Sequence, residues 1–301
     1  MPQDYDYKRE AFAIIGPGKV GTAVGYLLRL AGYPIVAVAG RSPDNLKQAL
    51  TYTGGQAYTD ASEAAKRADC ILITTSDDAI ASVCENITHK GALTAGKKVI
   101  HMSGAGGLDL LASARSCGAS VASIHPLQSF ADIEGAIKNI PGSMFGITSD
   151  ESIKEWCVGL VNDLGGSPFF ILDENKPLYH AAACMASNYL TTLMHIVEEI
   201  YTSLGVKQED ALKAFWPLVR GTLHNIESKG TIQALTGPIA RGDVGPIEKH
   251  LASLKKSFPE LLPLYCVMGN ETVSLGLKKK TLTPDKAQII KILLKGEYKN
   301  D

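Results

Sequence analysis

The chain has 301 residues, of which 45% are hydrophobic and 20% charged, so it can bury the core of one large or two medium globular domains. Its 30 Lys and Arg against 31 Asp and Glu give a formal charge of −1, which excludes the basic field typical of nucleic-acid-binding proteins. No apolar run approaches the roughly 20 residues that span a bilayer, and the first ten residues are too polar for a signal peptide. We therefore expect a cytoplasmic protein with no nucleic-acid or membrane partner.

The six cysteines are scattered along the chain, form no C-x-x-C pair and have no His nearby at metal-ligand spacing. In a reducing compartment such residues are most simply small buried hydrophobic side chains. We predict neither a metal site nor a disulfide.

The stretch from Ala11 to Arg41 has the pattern of a strand, a glycine turn, a helix and a second strand. Gly16, Gly18 and Gly21 follow the first apolar run with the spacing G-x-G-x-x-G. In this spacing the first glycine allows a tight turn, the second lets the backbone approach a pyrophosphate, and the third lets the helix pack closely on the strand. The pattern predicts a dinucleotide site, and the alternative is a glycine turn that serves packing alone.

The residue at the end of the second strand distinguishes NAD from NADP. An NAD enzyme usually has Asp or Glu there, whereas this chain has Arg41 followed by Ser42. A guanidinium and a hydroxyl suit a 2′-phosphate, so we predict NADP; the alternative is an Arg41 that only solvates a loop. The strand predicted over residues 68–75 ends at the same edge of the sheet. The predicted cofactor contacts are Gly16, Pro17, Gly18, Lys19, Val20, Gly21, Arg41, Ser42, Thr75, Ser76 and Asp77.

Strands and helices alternate up to residue 172, and the pattern beyond it is helical alone. This change predicts an α/β fold, with a Rossmann-type parallel sheet domain that binds NADP over residues 10–172. An all-helical C-terminal domain for substrate binding and dimerisation follows over residues 173–301. Its first predicted helix, 178–204, has one apolar face of the kind that forms the spine of a domain and of a homodimer.

Four further motifs occur in order: HMSGA from His101, SIHPLQSFAD from Ser123, YHAAACMASNYL from Tyr179 and LTGPIARGD from Leu235. Together they resemble a bacterial family in which a Rossmann-like domain precedes a helical domain of unknown function, and the resemblance covers nearly the whole chain. More distantly, the chain is similar to the 6-phosphogluconate dehydrogenase-like superfamily, which includes ketopantoate reductases and pyrroline-5-carboxylate reductases. The resemblance implies hydride transfer to or from a substrate held between the nucleotide domain and a helical domain.

One departure from that superfamily concerns the catalytic lysine. Hydroxyacid dehydrogenases and ketopantoate reductases have a Lys on the first long helix after the nucleotide domain, with Asn four residues later. This chain has His180 there, and its Asn188 follows only eight residues later. On an ideal helix these two residues are about 80° apart around the axis and about 12 Å apart along it. We therefore expect them to line one cleft without gripping one small group, with His180 in place of the Lys.

The proton donor of such a reaction is predicted to be a histidine, because imidazole titrates near neutrality. His180 and His125 compete for this role, and a purely structural hydrogen bond is the alternative for each. Asn188 is grouped with them as a catalytic candidate. The predicted substrate contacts are Ser103, Gly104, Gln128, Thr236 and Arg241. Arg241 suits a carboxylate, and the alternative is a surface ion pair with Asp243.

These features predict an NADP-dependent oxidoreductase that acts on a small oxo or imino acid, with 2-dehydropantoate as the leading substrate. A first alternative is an NADPH-binding sensor or partner protein without turnover. A second is an oxidation like that of prephenate dehydrogenases, some of whose sequence is similar to the His125-Pro126 segment. We expect the chain to form a homodimer.

Overall fold

A computed structural model describes residues 9–296 of the chain. Eight strands form one sheet: β1 (Phe12–Ile15), β2 (Ile35–Ala39), β3 (Gln56–Tyr58), β4 (Cys70–Ile73), β5 (Lys98–His101), β6 (Ser120–Pro126), β7 (Met144–Ser149) and β8 (Ser167–Phe170). Their order across the sheet is β3-β2-β1-β4-β5-β6-β7-β8. All neighbours are parallel except β6 and β7, which are antiparallel. The predicted Rossmann-type α/β sheet is confirmed, with one antiparallel pair added.

The helices that alternate with these strands are α1 (Lys19–Leu30), α2 (Pro43–Thr53), α3 (Ala61–Lys66), α4 (Asp77–His89), α5 (Ala112–Ser116), α6 (Ile133–Asn139) and α7 (Lys154–Asp163). The helices beyond the sheet are α8 (Lys176–Cys184), α9 (Leu190–Ser203), α10 (Gln208–Ala234), α11 (Pro238–Arg241), α12 (Val244–Ser257), α13 (Leu262–Lys279) and α14 (Pro284–Gly296). A π-helical segment, Met185–Tyr189, joins α8 to α9. None of the described helices has the length and hydropathy to cross a bilayer.

The strand sequences explain why both faces of the sheet are covered. All four residues of β1 are buried. Because side chains alternate between faces of a strand, Phe12 and Ile14 enter the core under α1, α2, α6 and α7. Ala13 and Ile15 enter the core on the opposite face, under α3, α4 and α5. An apolar run without polar alternation is what a parallel strand between two helical layers requires.

The strand order reverses between β1 and β4, because the chain builds β1, β2 and β3 in one direction and then β4 onward in the other. In open α/β sheets, ligands bind in the crevice outside the carboxyl ends of the strands at such a switch point. Two segments follow these carboxyl ends directly, the glycine turn after β1 and the loop after β4, and they therefore lie where the sequence places them.

The described chain divides into two compact units, one up to Leu193 and one from Met194. In the second unit, α11 to α14 enclose their own apolar core around Ile247, Val273 and Ile290. The strands end at Phe170, near the predicted limit at residue 172. The first unit nevertheless extends through α8 and the π-helical segment, and the domain limits of 10–172 and 173–301 stay a prediction.

Helix α10 is exposed on nearly every side: of its 27 residues, Ala211 and Phe215 alone are buried. It is interrupted at Gly230, where φ is +75°. Four of its large apolar side chains, with spacings of four, seven and three residues, form one stripe: Leu212, Trp216, Leu223 and Ile226.

Candidate active site

A cavity of about 450 Å³ lies at the carboxyl ends of β1, β2 and β4, and we call it the glycine-turn cavity. Of the predicted cofactor contacts, seven line it: Gly16, Pro17, Gly18, Arg41, Ser42, Thr75 and Ser76. The other four, Lys19, Val20, Gly21 and Asp77, lie beside these residues in sequence but do not form its wall. The structure thus brings the glycine turn, the end of β2 and the end of β4 around one space.

The N-terminus of α1 opens into this region without a capping side chain. Gly18 is the N-cap residue, and the first turn of the helix contains no acidic residue. The first intrahelical bond runs from the N–H of Thr22 to the oxygen of Gly18, so the N–H groups of the first turn stay available to an anion. A Cβ built on Gly18 would meet no atom within 4 Å, which leaves space for a ligand against the backbone.

Gly16 and Gly21 have different mechanical roles. Gly16 has φ of +90°, a conformation that favours glycine, and its added Cβ would lie 2.8 Å from the backbone nitrogen of Thr75. Gly21 is buried, and its added Cβ would collide with the Thr74 hydroxyl and lie 2.8 Å from the Gly16 oxygen. The third glycine therefore lets α1 approach β1 and β4, as its position in the motif predicts.

Arg41 and Ser42 lie side by side on the wall of the glycine-turn cavity. Arg41 is exposed and forms no ion pair with any described residue. Ser42 is the N-cap of α2, and its Oγ accepts a hydrogen bond from the Asn45 N–H at 3.3 Å. The hydroxyl proton of Ser42 remains free for an acceptor. A guanidinium beside a hydroxyl proton has the chemistry that suits a phosphate group, and this role of Arg41 and Ser42 stays a prediction.

The loop after β4 connects this cavity to the loop after β5. Asp77, which follows the cavity residue Ser76, accepts a hydrogen bond from Ser103 Oγ at 2.7 Å. Ser103 Oγ in turn accepts one from the Gly106 N–H at 2.8 Å. The Ser103 side chain is buried and its hydroxyl donates one hydrogen bond and accepts one, so it holds the loop. Its contact with a substrate stays a prediction.

A second cavity, of about 730 Å³, is lined by the end of β6, the loop after it, α8 and the π-helical segment. We call it the histidine cavity. Its polar wall consists of His125, Gln128, Ser129, Tyr179, His180, Cys184, Ser187, Asn188 and Thr191. All three predicted catalytic residues therefore line one cavity.

His125 and His180 pack edge to face, with ring centroids 5.8 Å apart. Gly104 closes on both of them: a Cβ built there would collide with the His180 ring and lie 2.9 Å from His125 Nε2. On its other side, His125 Nδ1 lies 2.7 Å from the Tyr179 hydroxyl. Gly104 can therefore lie against the two histidine rings only because it has no side chain. Tyr179 begins one of the four sequence motifs but is not among the predicted site residues, although it lines this cavity.

Burial sets the protonation state of this histidine. It lowers the pKa of His125 to about 4, and the positive charge of Lys176 acts in the same direction. Burial also raises the pKa of Tyr179 to about 12. At neutral pH, His125 is therefore uncharged and Tyr179 keeps its proton.

A buried polar network supports the loop under the two histidines. His101 Nδ1 accepts from the Ser103 N–H at 3.1 Å, and its Nε2 lies 3.0 Å from the Gly107 oxygen. Because Nδ1 is an acceptor, the His101 proton is on Nε2. Burial lowers the pKa of His101 to about 4, so it is neutral as well. Lys176 is also buried and donates to Ser123 Oγ at 2.7 Å and to the Ser103 oxygen at 3.2 Å.

Lys176 is a residue of the first helix after the sheet that the sequence interpretation did not consider. The helix begins at Lys176, not at residue 178, so a Lys precedes His180 by four residues. Sequence reasoning missed it because Pro177 obscured the helix start, although Pro is common in the first turn. Burial lowers the pKa of Lys176 to about 8, while Asp173 and Asp77 raise it in part. Its ammonium group is enclosed behind the Ser103 loop.

The π-helical segment Met185–Tyr189 changes the expected relation of His180 to Asn188. A π turn closes its hydrogen bonds over five residues and so advances each residue by less than the roughly 100° of an α-helix. The segment therefore turns Asn188 back toward the helix face of His180. Both residues line the histidine cavity, in keeping with the single cleft that the sequence predicts for them.

The remaining predicted substrate residues have other contacts. Gln128 lines the histidine cavity, but its amide nitrogen donates to Ser143 Oγ at 3.2 Å and its oxygen accepts from the Ser129 N–H at 2.8 Å. Arg241 forms an ion pair with Asp243 at 2.8 Å, the arrangement given above as the alternative. Thr236 is exposed in the second unit. Substrate contacts of Arg241 and Thr236 stay predictions.

Comparison with known protein families shows which parts of the chain match a family model. Residues 2–126 match the family model of a Rossmann-like domain, and residues 143–272 match that of a domain of unknown function, DUF2520. The two matches follow one another along the chain, in the order Rossmann-like domain and then DUF2520. This confirms the resemblance on which the sequence interpretation depends. No curated protein sequence matches the chain significantly.

Several solved structures share the fold. A Bacteroides fragilis protein assigned as an NADP oxidoreductase is 18% identical, with a TM-score of 0.74 over 88% of this chain and 98% of its own. A Thermotoga maritima protein is 24% identical, with a TM-score of 0.66 over 89% and 97%. Plasmodium falciparum pyrroline carboxylate reductase, solved with NADP bound, is 16% identical, with a TM-score of 0.57 over 94% and 98%. At these identities the likeness shows the fold.

Proposed function

We propose that the protein is an NADP-dependent oxidoreductase that transfers a hydride between the cofactor and a small oxo or imino acid. The observation that carries this proposal is the connection between the two cavities. Ser76 on the wall of the glycine-turn cavity is followed by Asp77, which bonds to Ser103. The next residue, Gly104, abuts His125 and His180. A dinucleotide site and a pair of potential proton-handling groups are thereby joined through two short loops.

The residues around the glycine-turn cavity fit NADP. The uncapped N-terminus of α1 and the open space over Gly18 suit the pyrophosphate, and Arg41 with Ser42 suits a 2′-phosphate. Two of the proteins that share the fold are named for NADP or were solved with it, which supports the same cofactor here. When bound, the nicotinamide supplies or accepts the hydride.

The protein's own groups would handle the heteroatom of the substrate. Reduction of a carbonyl or imine needs a hydrogen-bond donor and a proton at that atom. Neutral His125 can supply the hydrogen bond, and His180 beside it is our proposed proton donor. The Asn188 amide, on the same cavity wall, can orient the substrate. We keep 2-dehydropantoate as the leading substrate, by analogy with ketopantoate reductases.

Replacing Arg41 with Ala tests the cofactor assignment. We expect NADPH affinity to fall by about tenfold to a hundredfold, since a charge-assisted contact is lost, while NADH affinity changes little. Calorimetric titration with each cofactor measures both. Arg29→Ala serves as the matched control, because Arg29 is an exposed arginine in the last turn of α1. Equal losses for NADPH and NADH would contradict the role of Arg41 at the 2′-phosphate.

A screen of small 2-oxo and imino acids, followed by nicotinamide absorbance, tests turnover. Oxidation of NADPH by one acid supports the reductase. Tight NADPH binding with no turnover would favour the sensor, and reduction of NADP⁺ by an aromatic substrate would favour an oxidation like that of prephenate dehydrogenases.

We also propose that the protein is a homodimer and that a second copy covers the stripe on α10. The side chains of Leu212, Trp216 and Leu223 in this stripe are 42%, 40% and 44% exposed, which is uncommon for a contiguous apolar surface. Two-fold dimers are the most common assembly of soluble proteins, and a single helix stripe is self-complementary across a two-fold axis.

A further inference from the structure

The contact between Tyr179 and His125 is the feature of the histidine cavity that the reaction proposed above leaves unexplained. The Tyr179 hydroxyl and His125 Nδ1 are 2.7 Å apart, and their rings pack edge to face with centroids separated by 5.5 Å. Phe169 on β8 holds the other side of the Tyr179 ring, at a centroid distance of 5.9 Å. The tyrosine is therefore fixed by packing as well as by its hydrogen bond.

The sheet itself makes room for this hydroxyl. Gly146 on β7 is the register partner of His125 on β6. A Cβ built on Gly146 would lie 3.0 Å from the Tyr179 hydroxyl oxygen and 2.8 Å from Ile171 Cδ1. Glycine in the middle of a strand weakens the strand and often marks the close approach of another group. Here the group that approaches is the Tyr179 hydroxyl.

The hydrogen-bond inventory determines which atom donates. If His125 Nδ1 carried the proton and donated to Tyr179, the tyrosine proton would have no acceptor among the described residues. If Tyr179 donates to Nδ1, its proton is satisfied and the imidazole proton is on Nε2. No described protein group bonds to Nε2, so this nitrogen is left for a ligand in the cavity.

We propose that Tyr179 is a positioning residue that fixes His125 in the tautomer with its proton on Nε2, so that His125 presents a neutral N–H donor to the substrate heteroatom. This inference depends on the proposed oxidoreductase and deepens it. No bond of His125 breaks in this role: the N–H polarises the C=O or C=N group while another group delivers the proton. A neutral imidazole fixed in this way can act as an electrophile without first being protonated.

The test is the tautomer of His125, read from the side-chain nitrogen signals of the ¹⁵N-histidine-labelled protein and assigned with a His125→Asn variant. In the wild type we expect His125 to show one protonated nitrogen, Nε2, and one unprotonated nitrogen, Nδ1. The Tyr179→Phe variant removes the hydroxyl and keeps the ring. In this variant we expect the His125 imidazole to exchange between its two tautomers, so that the signals of its two nitrogens average. We also expect kcat to fall on the order of tenfold to a hundredfold, with the KM for NADPH unchanged.

The chain offers a matched control for this substitution. His250 Nδ1 lies 2.8 Å from the Tyr265 hydroxyl, with ring centroids 6.0 Å apart, and neither residue lines the glycine-turn cavity or the histidine cavity. Tyr265→Phe makes the same chemical change and should alter neither the His125 signals nor kcat. A second variant, Gly146→Ala, crowds the hydroxyl without removing it and should also average the His125 nitrogens. It provides the measurement if Tyr179→Phe fails to fold.

An unchanged His125 tautomer in both variants would overturn the inference, as would a wild-type proton on Nδ1. The nitrogen signals do not depend on turnover. A wild type that shows the Nε2 tautomer and its loss in the variants, but oxidises NADPH with no acid, would therefore overturn the proposed function while the positioning role of Tyr179 stands.

Discussion

At the scale of single residues, the site depends on histidines that are kept uncharged. His101 is fully buried and has a protein partner for each ring nitrogen, while His125 has a partner for Nδ1 alone. This difference separates a structural histidine from one that can meet a ligand. Both have a pKa lowered to about 4, because the charged form is poorly solvated in the interior.

The lowered pKa of His101 predicts that the free energy of unfolding decreases in acid. A histidine that titrates near pH 6.5 when unfolded and near pH 4 when folded binds more protons in the unfolded state between these values. Its contribution to stability is therefore complete above about pH 6.5 and is lost as the pH falls toward 4. The total loss attributable to His101 is ~3 kcal/mol. His125 adds a loss over the same range.

Urea unfolding at pH 7.5, 6 and 5 checks this prediction. The His101→Asn variant keeps an acceptor for the Ser103 N–H but cannot be protonated. We expect it to be less stable than the wild type at pH 7.5 and to lose less stability between pH 7.5 and 5. His89→Asn, at an exposed position, is the control and should follow the wild type. Parallel pH dependences for the wild type and His101→Asn would refute the assignment.

At the scale of structural elements, we expect two glycines of the turn between β1 and α1 to have different roles: Gly21 allows packing, and Gly18 leaves space for a ligand. An Ala at Gly21 would collide with Thr74 and crowd Ile14 at 3.2 Å, so we expect Gly21→Ala to lose about 1–3 kcal/mol of unfolding free energy. An Ala at Gly18 meets open space, and the residue has φ of −82°, which any residue adopts. We expect Gly18→Ala to fold normally and to bind NADPH at least about tenfold more weakly, because its methyl group occupies the ligand's space.

Thermal or urea unfolding and cofactor titration, applied to both variants, provide the measurement, and each variant is the control for the other. Normal NADPH binding by Gly18→Ala would show that the pyrophosphate does not approach this backbone. An undiminished stability of Gly21→Ala would show that α1 can move away from β4 without cost.

The π-helical segment Met185–Tyr189 is the other element that shapes the site. Its sequence, MASNY, has no residue that breaks a helix. The sequence pattern therefore predicts one continuous helix over residues 178–204 and gives no sign of the π turn. The π turn reduces the angle around the helix axis between His180 and Asn188, which line the same cavity. Such turns are frequent at functional sites, where they change which side chains face a cavity.

At the scale of the whole molecule, the exposed stripe on α10 predicts a dimer. We expect the wild type to sediment at twice the mass of the chain and Leu223→Glu to sediment as a monomer, because a carboxylate in the stripe would be buried without a partner. Thr222→Glu adds the same charge at an exposed position outside the stripe and should stay dimeric. A monomeric wild type would contradict the assembly and leave the cofactor site unaffected.

Much of the first unit was predictable because its signals are local. The G-x-G-x-x-G spacing and the apolar runs of the strands each involve residues close in sequence, and the corresponding elements form as expected. The elements that were missed give weak local signals: β3 has three residues at the edge of the sheet, and α11 has four.

The sequence by itself determined the fold class, the dinucleotide motif and the histidines, because each is carried by a residue type or a short spacing. The tertiary structure alone decided which of these residues share a space. It brought Gly146, Tyr179 and His125 together through the antiparallel pairing of β6 and β7, and it enclosed Lys176 behind Ser103. The His125–Tyr179 and Lys176–Ser103 contacts join residues that are 54 and 73 positions apart in the chain. They depend on strand order and packing, which no local pattern specifies.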